Sequence, residues 1–176
     1  MFELQTNFKQ ILKLFNPRTQ PIQSTVTFLQ DPYYLEFLGQ CSDTEITPDI
    51  DLFGYETTIK ENQYFAEHVE NLSQQLWKIG CTGQGDEWFL DRNSFDILFY
   101  DHDLGMDLDE NLKRDQFQSM QINFFQFLQF ALLLQALEQH LDKNPLSKVE
   151  LEQFQDTVNR IHPELFYVIH LIIDKL

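Results

Sequence analysis

Residues 76–100 read LWKIGCTGQGDEWFLDRNSFDILFY, three apolar runs separated by turn formers. Aromatic and β-branched residues concentrate in Leu76–Cys81, Glu87–Asp91 and Phe95–Tyr100, so the spacing predicts three strands. Gly83 and Gly85 supply the first turn, and Asn93 and Ser94 the second, which makes the run an antiparallel meander. Gly85 is expected to adopt a backbone angle open only to glycine.

Downstream, Ile122–Leu141 is apolar on most sides (Phe124, Phe125, Phe127, Leu128, Phe130, Leu133, Leu134, Leu137), which predicts a helix buried on that sheet. Upstream, Phe65, Val69, Leu72 and Leu76 are spaced for a helix over 63–75. Residues 41–62 are polar, punctuated by Pro48 and Gly54, with a short strand expected at Glu56–Ile59. Over 22–40 the pattern is mixed: Thr25–Phe28 has strand composition, and Tyr34, Leu35 and Leu38 can line a short helix after Pro32. Leu4, Phe8, Ile11, Leu12 and Phe15 predict a helix over 3–15, ended by Asn16-Pro17.

Beyond residue 141, Ser147 and Glu150 make a capping box, with Leu146 and Leu151 placed as a hydrophobic staple. Leu151, Phe154, Val158 and Ile161 stripe one helix, and Pro163 opens another carrying Leu165, Ile169, Ile172 and Ile173. The fold class is therefore α+β: a twisted, mainly antiparallel sheet packed against helices, with extra C-terminal helices. The expectation is a single domain over 1–176, its core at about 31–141 and a helical addition at 142–176.

Hydrophobic residues make up 43% of the chain and include 17 Phe, enough for a packed core. The net charge of −16 lies entirely within residues 31–110, where 19 acidic residues face only Lys60, Lys78 and Arg92. Such a field repels phosphate, which argues against nucleic acid and anionic membrane as partners. It serves either solubility or the steering of a basic partner. Cys41 and Cys81 stand far apart without metal-ligand spacing, and the N-terminus lacks a signal-peptide pattern, so a cytoplasmic location is expected.

Two motifs fail on chemistry. Gly80 and Gly85 have the outer spacing of a phosphate loop, but Asp86 and Glu87 stand where Lys and Ser or Thr are required, and Trp88 occupies the third glycine of a dinucleotide pattern. Asp101–Asp109 resembles a calcium loop, yet Met106 and Leu112 fill the positions that need Gly and a bidentate Glu. The five histidines make no close metal-ligand pair, and no nucleophile motif accompanies His102, whose flanking Asp101 and Asp103 make a general-base role conceivable. No catalytic residue, cofactor or metal ligand is assigned.

Leu76–Asp103 also resembles the core of the SUKH superfamily of Smi- and Knr-type domains. The matching features are a strand ending in Ile79-Gly80, a turn at Gly83, the Gly85-Asp86 step, the aromatic strand Trp88, Leu90, Asp91, and, more loosely, Tyr100 and His102. Ile122–Leu128 is similar to the family's approach to its closing helix, and Tyr33–Leu38 to its early Tyr-x-x-Phe-Leu helix. Asp31-Pro32 and Gly39-Gln40-Cys41 replace the family's flanking Leu-Pro and Asn-Gly-Gly. The resemblance spans roughly residues 31–141. It implies a mixed, twisted sheet against helices, no enzymatic activity, and an immunity protein that neutralises a cognate basic toxin domain, such as a nuclease, by direct binding. The acidic candidates for that contact are Asp86, Glu87, Asp101, Asp103, Asp107 and Asp109, with Ile79, Gly80, Gly83, Gly85, Trp88 and Asp91 as structural residues. The alternatives are a regulatory scaffold with housekeeping partners, or a metal-dependent hydrolase built on the His102 loop. A monomer is favoured.

Overall fold

The computed structural model describes residues 2–22, 30–104, 112–163 and 165–167. Thr25–Phe28, Asp107, Asp109, Ile169, Ile172 and Ile173 lie outside the described residues. In chain order the elements are α1 (Phe8–Leu12), α2 (Pro32–Gln40), β1 (Thr44–Thr47), β2 (Ile50–Leu52), α3 (Tyr55–His68), α4 (Glu70–Ser73), β3 (Leu76–Cys81), β4 (Glu87–Asp91), β5 (Ile97–Tyr100), β6 (Phe117–Ser119), α5 (Phe124–Leu141) and α6 (Lys148–Asn159).

The six strands form one sheet in sequential order, and every neighbouring pair is antiparallel. The mixed sheet implied by the resemblance is therefore not the one observed. Side chains alternate across the central strands. Trp77, Ile79, Trp88, Leu90, Ile97 and Phe99 join the core beneath α1, α2, α5 and α6. Leu76, Phe89, Leu98, Tyr100 and Phe117 pack with Phe65, Val69 and Leu72 from α3 and α4. The sheet is covered on both faces, and Trp88 anchors the α5 face, with its ring 4.8 Å from both Phe99 and Phe127.

Double coverage leaves no solvent for polar groups on β3. Beside Lys78 the chain of β2 has already turned away into α3, and Asn62 fills the gap. Its side chain accepts from the Lys78 N–H at 2.8 Å and donates to the Lys78 carbonyl at 2.7 Å, the two bonds a neighbouring strand would make. The Lys78 ammonium is held by Glu87 at 2.6 Å and Glu61 at 3.3 Å. Burial alone would lower its pKa, and the two carboxylates hold it above the ordinary lysine value. Gly80 is needed where β2 crosses, because a Cβ there would sit 2.5 Å from the Asp51 carbonyl oxygen.

Several expectations require correction. The N-terminal helix is confined to Phe8–Leu12, because Asn7 takes the N-cap position and Gln129 of α5 donates to the Gln5 carbonyl at 2.7 Å, holding the preceding chain out of the helix. Glu56–Ile59 is the first turns of α3, not a strand; its β-branched residues are overridden by burial of Thr58, Asn62 and Phe65 at helical spacing. Strands form instead on either side of Pro48-Asp49. The 63–75 helix is divided at Val69, whose φ of −134° and ψ of 60° are not helical. The third strand starts at Ile97, since Phe95, at φ 64°, still belongs to the turn. β6 was not foreseen. At the C-terminal end the Ser147–Glu150 box is present, but Leu151 is 44% exposed and cannot act as a buried staple. Phe154, Val158 and Ile161 instead enter the main core, with Phe154 meeting Phe2 at 5.1 Å, so α6 is part of that core.

Gly85 has φ +104°, while a Cβ added there would meet only the His102 ring at 3.8 Å, an ordinary contact. Gly85→Ala is therefore expected to cost about 1–3 kcal/mol of unfolding free energy through backbone strain alone. Gly39→Ala, on a helix with nothing within 4 Å, is expected to be neutral or slightly stabilising. Urea titrations of both variants check the pair, and equal midpoints for the two would show that Gly85 is not under conformational constraint.

Candidate functional site

In a sequential antiparallel meander, alternate connections gather at one end of the sheet. Here the β1–β2 turn, the β3–β4 turn and the exit from β5 meet. The Gly83 N–H donates to the Pro48 carbonyl at 2.7 Å, and the Trp88 indole N–H donates to the Asp49 carbonyl at 2.8 Å. The two turns are thereby fixed to each other and to the core.

The β3–β4 turn is closed by Thr82. Its hydroxyl oxygen accepts from the Gln84 and Asp86 N–H groups at 3.2 and 3.0 Å and donates to Asp86 Oδ2 at 3.3 Å. Asp86 Oδ1 then accepts from the His102 N–H at 3.2 Å and meets His102 Nδ1 at 2.7 Å. On the far side of the ring, Nε2 lies 3.2 Å from Asp103 Oδ1. The Asp86 hydrogen bond raises the imidazole pKa above 6.5, helped by the charges of Asp103 and Asp101.

Further carboxylates lie on the β1–β2 hairpin and at the end of α5. Burial, then Asp86, raises the pKa of Asp49; burial, then Glu45 and Asp43, raises that of Asp51. Glu138, on the last turns of α5, is raised by burial and then by Asp49 and Asp142. Among the described residues, none of Asp43, Glu45, Asp49, Asp51, Glu138 and Asp142 is in an ion pair. The negative end of the α5 dipole adds to the same field. This end of the molecule is an acidic pole built from three turns and a helix terminus.

The six acidic contact candidates are not equivalent. Asp86 is buried at 6% exposure and spends both oxygens on Thr82 and His102, while the Glu87 side chain, 14% exposed, lies against Lys78 on the opposite face of the sheet. Both are interior ion partners, a correction to their reading as surface contacts. A carboxylate at a strand start points into whatever covers that face, and here both faces are covered. Asp101 and Asp103 do reach the pole. Asp49, Glu45, Glu138 and Asp142 were missed; four acids in the short stretch 43–51 were the available signal, whereas Glu138 joins only through the packing of α5.

The structural candidates carry structural work. Ile79 and Trp88 are core, Gly80 and Gly85 meet backbone demands, and Gly83 ties the turns. Asp91 accepts from the Asn93 and Ser94 N–H groups at 2.8 and 3.1 Å and pairs with Arg114 at 2.7 Å. The two thiols are not joined to each other; burial pushes Cys41 up to about 11 and also raises Cys81, so neither is an activated nucleophile. Asp86, Asp101 and His102 each place a ligand atom within 4.8 Å of the others, the one such grouping among the described residues. Its hydrogen bonds are consumed internally, and a cation would have to displace the His102–Asp86 and Thr82–Asp86 contacts to enter. No family model, curated protein or solved structure matches the chain. No helix among the described residues is long and apolar enough to cross a membrane.

For Asp91, burial pushes the pKa up, but the two amides and Arg114 outweigh it and hold the carboxyl below 3.8. Its stabilisation is thus fully present above that value and is lost as pH falls through the lower, folded-state value. Asp91→Asn is expected to cost about 1–3 kcal/mol at pH 7 and to show a shallower further loss below pH 4 than the wild type. Asp51, raised instead, carries the opposite sign, so Asp51→Asn should stabilise at pH 7. Chemical denaturation across pH 2–7 compares the three proteins, and parallel curves for wild type and Asp91→Asn would remove Asp91 from this role.

Proposed function

We propose that this chain is a non-enzymatic protein-binding domain whose acidic pole receives a basic protein, in the manner of an immunity protein that occludes a cognate cationic toxin domain in the cytoplasm. The observation that carries the reading is the set of carboxylates Asp49, Asp51 and Glu138, each with its pKa raised by burial and then by a neighbouring carboxylate, and, among the described residues, none of them in an ion pair. Groups so arranged repel one another in the free protein, and a partner bringing lysine or arginine side chains relieves that repulsion on binding. The same field attracts such a partner over a distance of about one Debye length, roughly 8–10 Å at physiological salt. A nuclease domain, whose own cleft must attract phosphate, has the required sign of charge. The resemblance of Leu76–Asp103 to the SUKH core supports the same class of activity.

Affinity capture from the native host, followed by stopped-flow association across a salt series, tests the proposal. The captured partner is expected to be basic, with an association rate that falls steeply as salt rises. Neutralising the pole with Glu45→Gln, Asp49→Asn, Glu138→Gln and Asp142→Asn together is expected to slow association at low salt by about tenfold or more. An acidic partner, or a rate indifferent to both salt and these substitutions, would overturn the reading. A basic partner that is bound but keeps its own activity would favour the scaffold alternative.

A further inference from the structure

The Arg18 side chain is 7% exposed, and its guanidinium lies over the Tyr55 ring at 5.4 Å. Among the described residues its side-chain hydrogen bonds run to one carboxylate. Nη1 donates to Glu56 Oε2 at 2.8 Å and Nη2 to Glu56 Oε1 at 2.5 Å, while Nε is buried without a partner. The Glu56 side chain, in contrast, is 72% exposed. A guanidinium withdrawn from water needs an anion, because its desolvation is otherwise uncompensated. The anion it has here sits on a rotatable side chain that water can also solvate. The pair borders a cavity of about 190 Å³, lined further by Thr19, Gln20 and Ser42. We propose that this cavity binds a small carboxylate, with Arg18 as the residue that holds it and Glu56 as an internal stand-in that the ligand displaces.

The frame around Arg18 does not depend on Glu56. The Arg18 N–H donates to the Gln40 carbonyl at 2.8 Å, and the Ser42 N–H to the Asn16 carbonyl at 2.9 Å. Between them Pro17 and Cys41 form an antiparallel bridge, and the Ser42 hydroxyl donates to the Pro17 carbonyl at 3.1 Å. Two chain segments, one beyond α1 and one at the end of α2, are thus tied together, and Arg18 reaches from the first of them to the start of α3.

The Glu56 contact defines the ligand chemistry. Two parallel N–H···O bonds from a planar fork match a planar carboxylate. Thr19 and Gln20, both exposed, bring a hydroxyl and a carboxamide to the lining for a second polar group on the ligand. Asp43 follows Ser42 and spends Oδ1 on the Gly54 N–H at 2.6 Å and Oδ2 on the Thr57 hydroxyl at 2.8 Å, which fixes its charge in place. That charge penalises a phosphate dianion more than a carboxylate monoanion. The volume falls below the roughly 300–1,000 Å³ of pockets for drug-sized ligands, which confines the ligand to a small acid.

The test is a titration of the full-length chain with sodium acetate, followed by heteronuclear NMR at the Arg18 Nε–H and at the Thr19, Gln20 and Ser42 amides. Sodium chloride at matched ionic strength is the control. Glu56→Gln removes the charge of the stand-in and leaves Arg18 in place. It is expected to bind acetate saturably and about fivefold or more tighter than the wild type, the factor equivalent to an exposed ion pair at the upper end of its range. Arg18→Lys keeps the charge but loses the fork, and added to Glu56→Gln it is expected to abolish the saturable response. If the double variant does not fold, Glu56→Gln against wild type decides alone, since the carboxylate it replaces is exposed. Equal affinity in wild type and Glu56→Gln, a response that chloride reproduces, or saturable binding that survives Arg18→Lys overturns the site. Inorganic phosphate bound as tightly as acetate overturns the assignment to carboxylates.

Discussion

Strands β3, β4 and β5 carry apolar side chains on both faces, and supplying two covers for them governs the rest of the molecule. A strand of this kind has no solvent side, so a polar group on it is either paired within the protein or leaves a large desolvation cost unmet. Lys78 is the clearest case. Its backbone is completed by Asn62 and its ammonium by Glu87 and Glu61, and all three partners depend on α3 and β4 being in place. An ion cluster of this type contributes little net stability compared with an apolar replacement, but it penalises any register that separates its members. The same logic holds for Asp91, which closes the turn after β4 and anchors Arg114 beyond the acidic segment.

The covers also decide where charge can go. With α1, α2, α5 and α6 on one face and α3 and α4 on the other, the turn end is where several chain segments reach the surface together. Carboxylates that are distant in sequence come close together there: burial and then Asp86 raise the pKa of Asp49, and burial and then Asp49 raise that of Glu138. Trp88 links this end to the hydrophobic interior, since its ring packs on Phe127 while its N–H holds the Asp49 carbonyl. A rigid sheet thus presents its charged turns in one fixed arrangement, the condition under which electrostatic complementarity confers specificity as well as speed.

Among the described residues the basic group inside the pole cluster is a histidine, not a lysine or arginine, and the difference matters. Lysine in the position of His102 would neutralise the carboxylates at all physiological pH values. Histidine makes the neutralisation conditional on pH.

Local pattern was sufficient wherever an element is set by its own burial. The alternation in 76–100 and the dense apolar run of 124–141 specify a meander and the helix upon it, because neither can be satisfied in water. Gly85, the Ser147–Glu150 box and the acidity of residues 31–110 were equally legible from single residues or short spacings. Pattern misled where two conformations were locally comparable. The Thr57-Thr58-Ile59 run favours a strand in isolation, and only Asn62 reaching Lys78 and Phe65 reaching Phe89 draw it into a helix. The acidic pole stands between these cases. Its charge is a property of composition, but which carboxylates face solvent is a property of the sheet: Asp86 and Glu87 are neighbours in sequence, yet one ends in the turn cluster and the other beneath α3, because successive side chains on a strand point to opposite faces.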